Sequence, residues 1–211
     1  LQAKAAPYFD AVPYHWYAWY SDVNYDYDFD ASGAYNWKEW GGGAYGKATY
    51  LKQMMERYGV SKPLVMNETA LGCDPRWSDS CEPSLGDGFL QAQADFIVRA
   101  ALRARKAGVI QTTYFMLEEN AWGYVGLLDQ YGHPKPVFYT YQNLASQLKL
   151  STYLGTVSYG TGIEGYAFRR GNDSLLHVVW TIQDEVRQIK IPESRLIAIY
   201  GRDGESIPLP T

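Results

Sequence analysis

Three times within the first 150 residues a short apolar run is followed by a stretch of helical periodicity, and this alternation constrains the fold more than any other feature of the chain. The run from Tyr8 to Trp16 reads as a strand, and after a long aromatic loop to about Gly43 a helix is predicted from Tyr45 to Tyr58. Its apolar positions Tyr50, Leu51, Met54, Met55 and Tyr58 recur at intervals of three and four, and Gly59 supplies the stop. Lys62 to Gly72 reads as a second strand, followed by a helix from Phe89 to Ala107 that buries Phe89, Ala92, Phe96, Ile97, Ala100, Ala101 and Ala104 and ends at Gly108. Val109 to Met116 is a third strand, and a third helix runs from Pro136 to Leu148 with proline in its first turn. Strand and helix in strict alternation is the pattern of parallel βα units with right-handed crossovers, an α/β class.

Beyond Leu150 the period changes to short β-rich runs, Tyr153 to Tyr159, Glu164 to Arg170, Ser174 to Trp180, Val186 to Ile191 and Leu196 to Tyr200. The expected organisation is therefore an α/β domain over residues 1–150 and a small antiparallel β-sandwich over 151–211. With a net charge of −4 and no basic cluster, the chain has no electrostatic footprint for nucleic acid or for an anionic membrane. No run approaches the roughly 20 apolar residues that span a bilayer. Aromatic residues make up 16% of the chain, with 19 Tyr and 7 Trp, more than a core of this size uses, because each hydroxyl and indole N–H needs a partner. Many must line a wet surface. Flat rings with polar edges suit sugar faces, although they also mark protein interfaces.

The chemistry concentrates at Glu68, where the run Lys62-Pro-Leu-Val-Met-Asn-Glu-Thr-Ala-Leu-Gly72 passes from strand into loop. At period two, Leu64, Met66 and Glu68 share one face and Val65 and Asn67 the other, so the carboxylate is expected atop an apolar column. A carboxylate there is either a working group or a cap on the next loop. Cys73 and Cys81 stand close together in a loop with Pro75, Asp79 and Pro83, and either close a short disulfide, which implies an oxidising, extracytoplasmic compartment, or remain free thiols. Neither has a histidine at zinc-binding spacing, so no metal and no cofactor is expected. The acidic run Asp22-Val-Asn-Tyr-Asp-Tyr-Asp-Phe-Asp30 alternates oxygen ligands, but lacks the glycine and the glutamate that a calcium loop requires. It is expected to be a solvated loop over the cleft, with Trp37 and Trp40 as outer sugar contacts.

Three segments together resemble the C-terminal half of the retaining (β/α)8 glycoside hydrolases of clan A, the superfamily with catalytic carboxylates on strands four and seven. Phe9-Asp-Ala-Val-Pro-Tyr-His-Trp-Tyr17 is similar to strand six with its His-x-Tyr ending. The Lys62 to Gly72 run is similar to strand seven, and Gln111-Thr-Thr-Tyr-Phe-Met-Leu117 with Gly126-Leu-Leu-Asp129 and Pro134-Lys-Pro-Val-Phe-Tyr139 to strand eight and the entry to the last helix. The resemblance implies part of a TIM barrel, about strands six to eight, followed by an accessory β-sandwich, and glycoside hydrolysis with Glu68 as nucleophile. It implies substrate contacts from His15, Tyr17, Tyr114 and Trp122, with Tyr17 hydrogen-bonded to Glu68, Trp122 as sugar platform and Tyr114 behind it. The acid/base Glu of strand four has no counterpart here, and Glu118 and Glu119 lie in the loop after strand eight. The chain is accordingly expected to be part of an enzyme, its open sheet edges covered by an N-terminal half-barrel chain or by a second copy. The alternative is a non-catalytic carbohydrate-binding or scaffold protein that keeps the barrel remnant.

Overall fold

The computed structural model describes residues 5–21, 26–30, 37–75, 81, 86–119, 122–171, 173–182, 185–191 and 196–209. Three parallel strands, β1 (Val12–Trp19), β2 (Leu64–Gly72) and β3 (Val109–Tyr114), form one sheet in the order β1-β2-β3. The short helix α1 (Tyr27–Asp30) and then α2 (Gly43–Arg57) connect β1 to β2, α3 (Asp87–Lys106) connects β2 to β3, and α4 (Pro136–Leu148) follows. The helix ends fall where local chemistry puts them. Gly59 adopts φ +65°, and the pair Gly59 N–H to Glu56 O and Val60 N–H to Met55 O closes α2 as a Schellman motif. Pro136 opens α4, where its missing N–H costs nothing.

The helices cover one face of this sheet. Tyr14, Trp16, Ala18, Leu64, Met66 and Val109 are buried with Ala44, Ala48 and Met55 of α2 and Phe89, Phe96 and Ala100 of α3. No helix covers the other face among the described residues, with Pro13, His15 and Gln111 exposed and Val65 and Thr113 half-buried. Strand β1 also extends to Trp19, past the expected end at Trp16, because it pairs with β2 as far as Gly72.

The side-chain phase of β2 differs from simple alternation. Tyr14 pairs with Met66 but His15 with Glu68, and on the other side Met66 pairs with Thr112 but Thr69 with Tyr114. Both registers place one extra residue in β2 around Asn67, a β-bulge, and a one-residue slip sends every later side chain to the opposite face. Leu64 and Met66 therefore point to the helices while Glu68 emerges on the bare face beside His15. This corrects the expectation that all three share a face.

The remaining strands are antiparallel. β4 (Thr152–Thr156), β5 (Ile163–Arg169) and β6 (Leu175–Thr181) form a second sheet, and β7 (Ile199–Tyr200) pairs with β8 (Ser206–Ile207) as a two-stranded ribbon. Residues 185–191 carry no strand, and 192–195 lie outside the described residues. The inner face of β4–β6, with Tyr153, Tyr166, Phe168, Leu176, Val178 and Trp180, packs on Val98, Ala101, Leu102, Leu144 and Leu148 of α3 and α4. The helix pair is thus sandwiched between two sheets, and β4–β6 share a core with α3 and α4. Tyr166 and Trp180, on strands where packing is the default, are core residues.

Arg103 ties these layers together. Its buried guanidinium donates to Asp26 Oδ1 (2.8 Å) and Oδ2 (2.7 Å), to Asp28 Oδ2 (3.2 Å) and to Glu164 Oε1 (3.0 Å) and Oε2 (2.5 Å). Asp28 also accepts from Ala44 N–H at 3.0 Å. Full burial pushes the Asp28 carboxyl above the usual range, against the lowering effect of Arg103. Asp26 and Asp28 are therefore inward-facing anchors and not part of a solvated loop, while residues 22–25 lie outside the described residues.

Candidate active site

β1 carries His15, Tyr17 and Trp19 at period two, so all three project on the bare face, and the bulge brings Glu68 to the same side. Two donors converge on one carboxylate oxygen. Tyr17 Oη donates to Glu68 Oε2 at 2.5 Å, and His15 Nδ1 lies 3.2 Å from the same oxygen. Among the described residues Oε1 has no protein donor. Asn67 Nδ2 stands 3.3 Å from His15 Nε2, so the imidazole is engaged on both ring nitrogens, with Nδ1 facing Glu68. Burial, then the hydrogen bond to Glu68 and the charge of that carboxylate, raise the Tyr17 pKa well above the usual phenol value, so Tyr17 stays a donor across the physiological range. The carboxylate remains accessible, with Glu68 31% and His15 48% exposed in their side chains. Lys47 Nζ caps the His15 carbonyl at 2.8 Å, beside the break in the ladder.

An aromatic wall stands beside this carboxylate. The Trp122 ring is 5.1 Å from Tyr17, 5.5 Å from Trp19 and 5.7 Å from Phe115, each in edge contact, and 41% of Trp122 is exposed. These contacts hold the indole in place while it keeps substantial exposure. Tyr114 is elsewhere. It lies in the core formed by Ala94 and Ile97 of α3 and Val137 of α4, near Tyr141, with its hydroxyl enclosed, and offers no surface to a ligand. This corrects its expected place behind the platform: its partner in the register is Thr69, on the helix side.

Of the two glutamates after β3, Glu119 is committed to Lys135 at 2.6 Å, both side chains being almost fully buried. Cys73 and Cys81 form a disulfide with a Cα–Cα distance of 5.5 Å, which holds the chain just after β2 and is compatible with an oxidising compartment. Among the described residues no acidic, His and Cys group is arranged to hold a metal, and no helix is long and apolar enough to cross a membrane. Trp77 lies outside the described residues. A groove lined by Ala101, Val109, Ile110, Tyr141, Leu144 and Leu148 follows the free edge of β3 and includes none of His15, Tyr17, Glu68 or Trp122.

The residues that sequence reasoning missed here are Asn67, Trp19 and Phe115. Trp19 was signalled by period two after His15 and Tyr17. Asn67 owes its place to the bulge, which leaves no mark in composition.

The sequence matches no protein-family model and no curated protein. Among solved structures it is similar to Bacteroides uniformis beta-glucuronidase 2 covalently bound to cyclophellitol-6-carboxylate aziridine, at 14% identity and a TM-score of 0.42. It is also similar to a calcium binding mutant of the same enzyme, at 16% identity and a TM-score of 0.41. Each match covers 79% of this chain and 20% of that chain, so the chain spans about a fifth of the length of the structures it matches.

Proposed function

We propose that this chain carries the nucleophile portion of a retaining glycoside hydrolase, with β1, β2 and β3 as the last three strands of a (β/α)8 barrel and the bare sheet face as part of the barrel interior. The observation that carries the reading is the asymmetry of Glu68: Oε2 is held by Tyr17 and His15, and among the described residues Oε1 has no protein donor. A carboxylate that must attack a carbon needs one oxygen oriented and one free. In this chemistry Oε1 bonds to the anomeric carbon as the glycosidic C–O bond breaks, and the leaving oxygen takes a proton from a second carboxylic acid about 5–5.5 Å away. Water then releases the sugar with that second group as base. The two hydrogen bonds to Oε2 disperse the charge that Glu68 regains as the covalent intermediate breaks down, and Trp122 supplies an apolar platform for a sugar face.

Glu119 is held by Lys135, so the acid/base is assigned to polypeptide that covers the bare face and the free edges of β1 and β3, either a preceding half-barrel or another chain. The substrate is a carbohydrate, and the disulfide supports a secreted or extracytoplasmic setting. The engagement of Glu119 also favours the second reading, a carbohydrate-binding or scaffold protein without turnover. Hydrolysis of a panel of aryl α- and β-glycosides by this chain and by Glu68→Gln separates the two. Turnover lost in the variant supports the enzyme, and glycoside binding without turnover, equal in both proteins, supports the binding protein.

A further inference from the structure

We infer that Gln93, in the middle of α3, is a positioning residue of the proposed site: it sets where Trp122 stands relative to Glu68, an inference that rests on the carbohydrate reading above only for its sugar-binding consequence. The Gln93 side chain is fully buried, and its amide nitrogen donates both hydrogens, to Leu71 O at 3.0 Å and to Tyr124 O at 3.1 Å. Leu71 lies three residues beyond Glu68 on β2, and Tyr124 two residues beyond Trp122. One amide therefore bridges the strand that carries the carboxylate and the turn that carries the platform.

The backbone explains why such a bridge is needed. Pairing of β2 with β3 ends at Thr69–Tyr114, so the Leu71 carbonyl has no ladder donor from that strand. Tyr124 is in the left-handed region at φ +50°, which turns its carbonyl to the interior, where Lys135 Nζ also reaches it at 2.8 Å. A buried carbonyl without a donor is costly, and a primary amide is the uncharged side chain with two N–H groups to give. The same junction is laced by Cys73 N–H to Gly123 O at 2.7 Å, and Gly72 and Gly123 both press on the Trp19 ring, where an added Cβ would come within 2.7 and 2.8 Å. Trp19 in turn contacts Trp122. Among the described residues Gln93 makes no hydrogen bond to Glu68 or to its two donors, so removing its amide loosens the platform and leaves the Glu68 hydrogen bonds in place.

The test uses Gln93→Met, which keeps length and removes both donors, and Gln93→Glu, which when ionised presents only acceptors to the two carbonyls and when protonated returns one donor. The readout is acrylamide quenching of Trp122, isolated by subtracting the signal of the same protein carrying Trp122→Phe. The expected result is a rise of about two-fold or more in the Trp122 quenching constant in Gln93→Met, consistent with release of a ring from edge contacts. In Gln93→Glu the rise is present at pH 8 and diminished at pH 5, whereas the parent protein shows no such change. A folded Gln93→Met with unaltered Trp122 quenching overturns the inference, and if that variant does not fold, a pH-independent Gln93→Glu does so. A second arm measures covalent trapping by activated 2-deoxy-2-fluoro glycosyl fluorides: the concentration giving half-maximal rate rises about 2- to 12-fold in Gln93→Met while the maximal rate holds, as expected for loss of an aromatic contact. A fall in maximal rate with unchanged half-saturation contradicts it. Absence of trapping in the parent protein counts against the glycosidase reading, and the quenching result stands independently of it.

Discussion

Replacing Arg103 by Met removes the guanidinium that binds three carboxylates, Asp26, Asp28 and Glu164. Asp26 and Asp28 keep 10% and 0% side-chain exposure, so water cannot replace the three hydrogen bonds they lose, whereas Glu164 at 21% is partly rescued by solvent. Breaking a buried ion pair from one side costs about 3–5 kcal/mol. The ring of Trp180, 5.8 Å from the guanidinium, adds a smaller loss of the cation–π kind. With a urea m-value near 2 kcal/mol/M for a chain of this size, the unfolding midpoint falls by about 1.5–2.5 M. Because β5 supplies Glu164 and shares a core with α3, the native chain unfolds in one transition by tryptophan fluorescence and by far-UV dichroism, and the variant resolves an early loss of β4–β6. The sign of the pH effect follows from the freed carboxylates. Burial already raises the Asp28 carboxyl and Arg103 opposes that rise, so without Arg103 Asp28 is raised further and the deficit of the variant shrinks as pH falls from 7 towards 4. Adding Asp28→Asn to Arg103→Met recovers part of the loss at pH 7. A shift below about 0.5 M urea at pH 7, or a deficit independent of pH, refutes the assignment of the cluster as a buried electrostatic anchor.

Tyr17→Phe removes a hydrogen bond to a charged oxygen while keeping the ring contacts, so the rate of covalent trapping falls about 10- to 150-fold with little change in midpoint temperature, as measured by intact mass and thermal unfolding. Cys73→Ser opens a loop with a sequence separation of 8, a chain-entropy loss of about 2–3 kcal/mol read from denaturant unfolding with and without reductant, the reduced parent matching the variant. Tyr14, Tyr17, Tyr114 and Tyr166 all have pKa values raised first by burial. Folded values above the unfolded value of about 10 mean that their contribution is present below pH 10 and lost as pH climbs beyond it, so phenolate absorbance at 295 nm from these residues appears together with unfolding and not before.

The elements whose boundaries were legible are those that end on local chemistry. Gly59, Gly108 and Pro136 mark helix termini in sequence as they do in space, whereas the contact of Tyr17 with Glu68 was implied by the resemblance and not by the apolar runs themselves. What escaped was set by partners far along the chain. The bulge at Asn67 exists only in register with β1 and β3 together, and it alone decides which face Glu68 takes. The inward turn of Asp26 and Asp28 depends on Arg103, more than 70 residues away. Tyr114 looked like part of the site because it ends a strand near Trp122, yet its pairing with Thr69 turns it to the helices. The runs after Thr181 had strand-like composition, but residues 185–191 find no neighbouring ladder, and composition does not make a strand without one.

The central claim is that Glu68 is a nucleophile, and it can be tested without an acid/base because a fluoride leaving group needs little protonation. The chain is incubated with a panel of 2-deoxy-2-fluoro glycosyl fluorides and examined by intact mass and peptide mapping. The account predicts a single glycosyl adduct on the peptide containing Glu68, absent from Glu68→Gln. An adduct that persists in Glu68→Gln or maps to another carboxylate, or no adduct from any member of the panel, contradicts it.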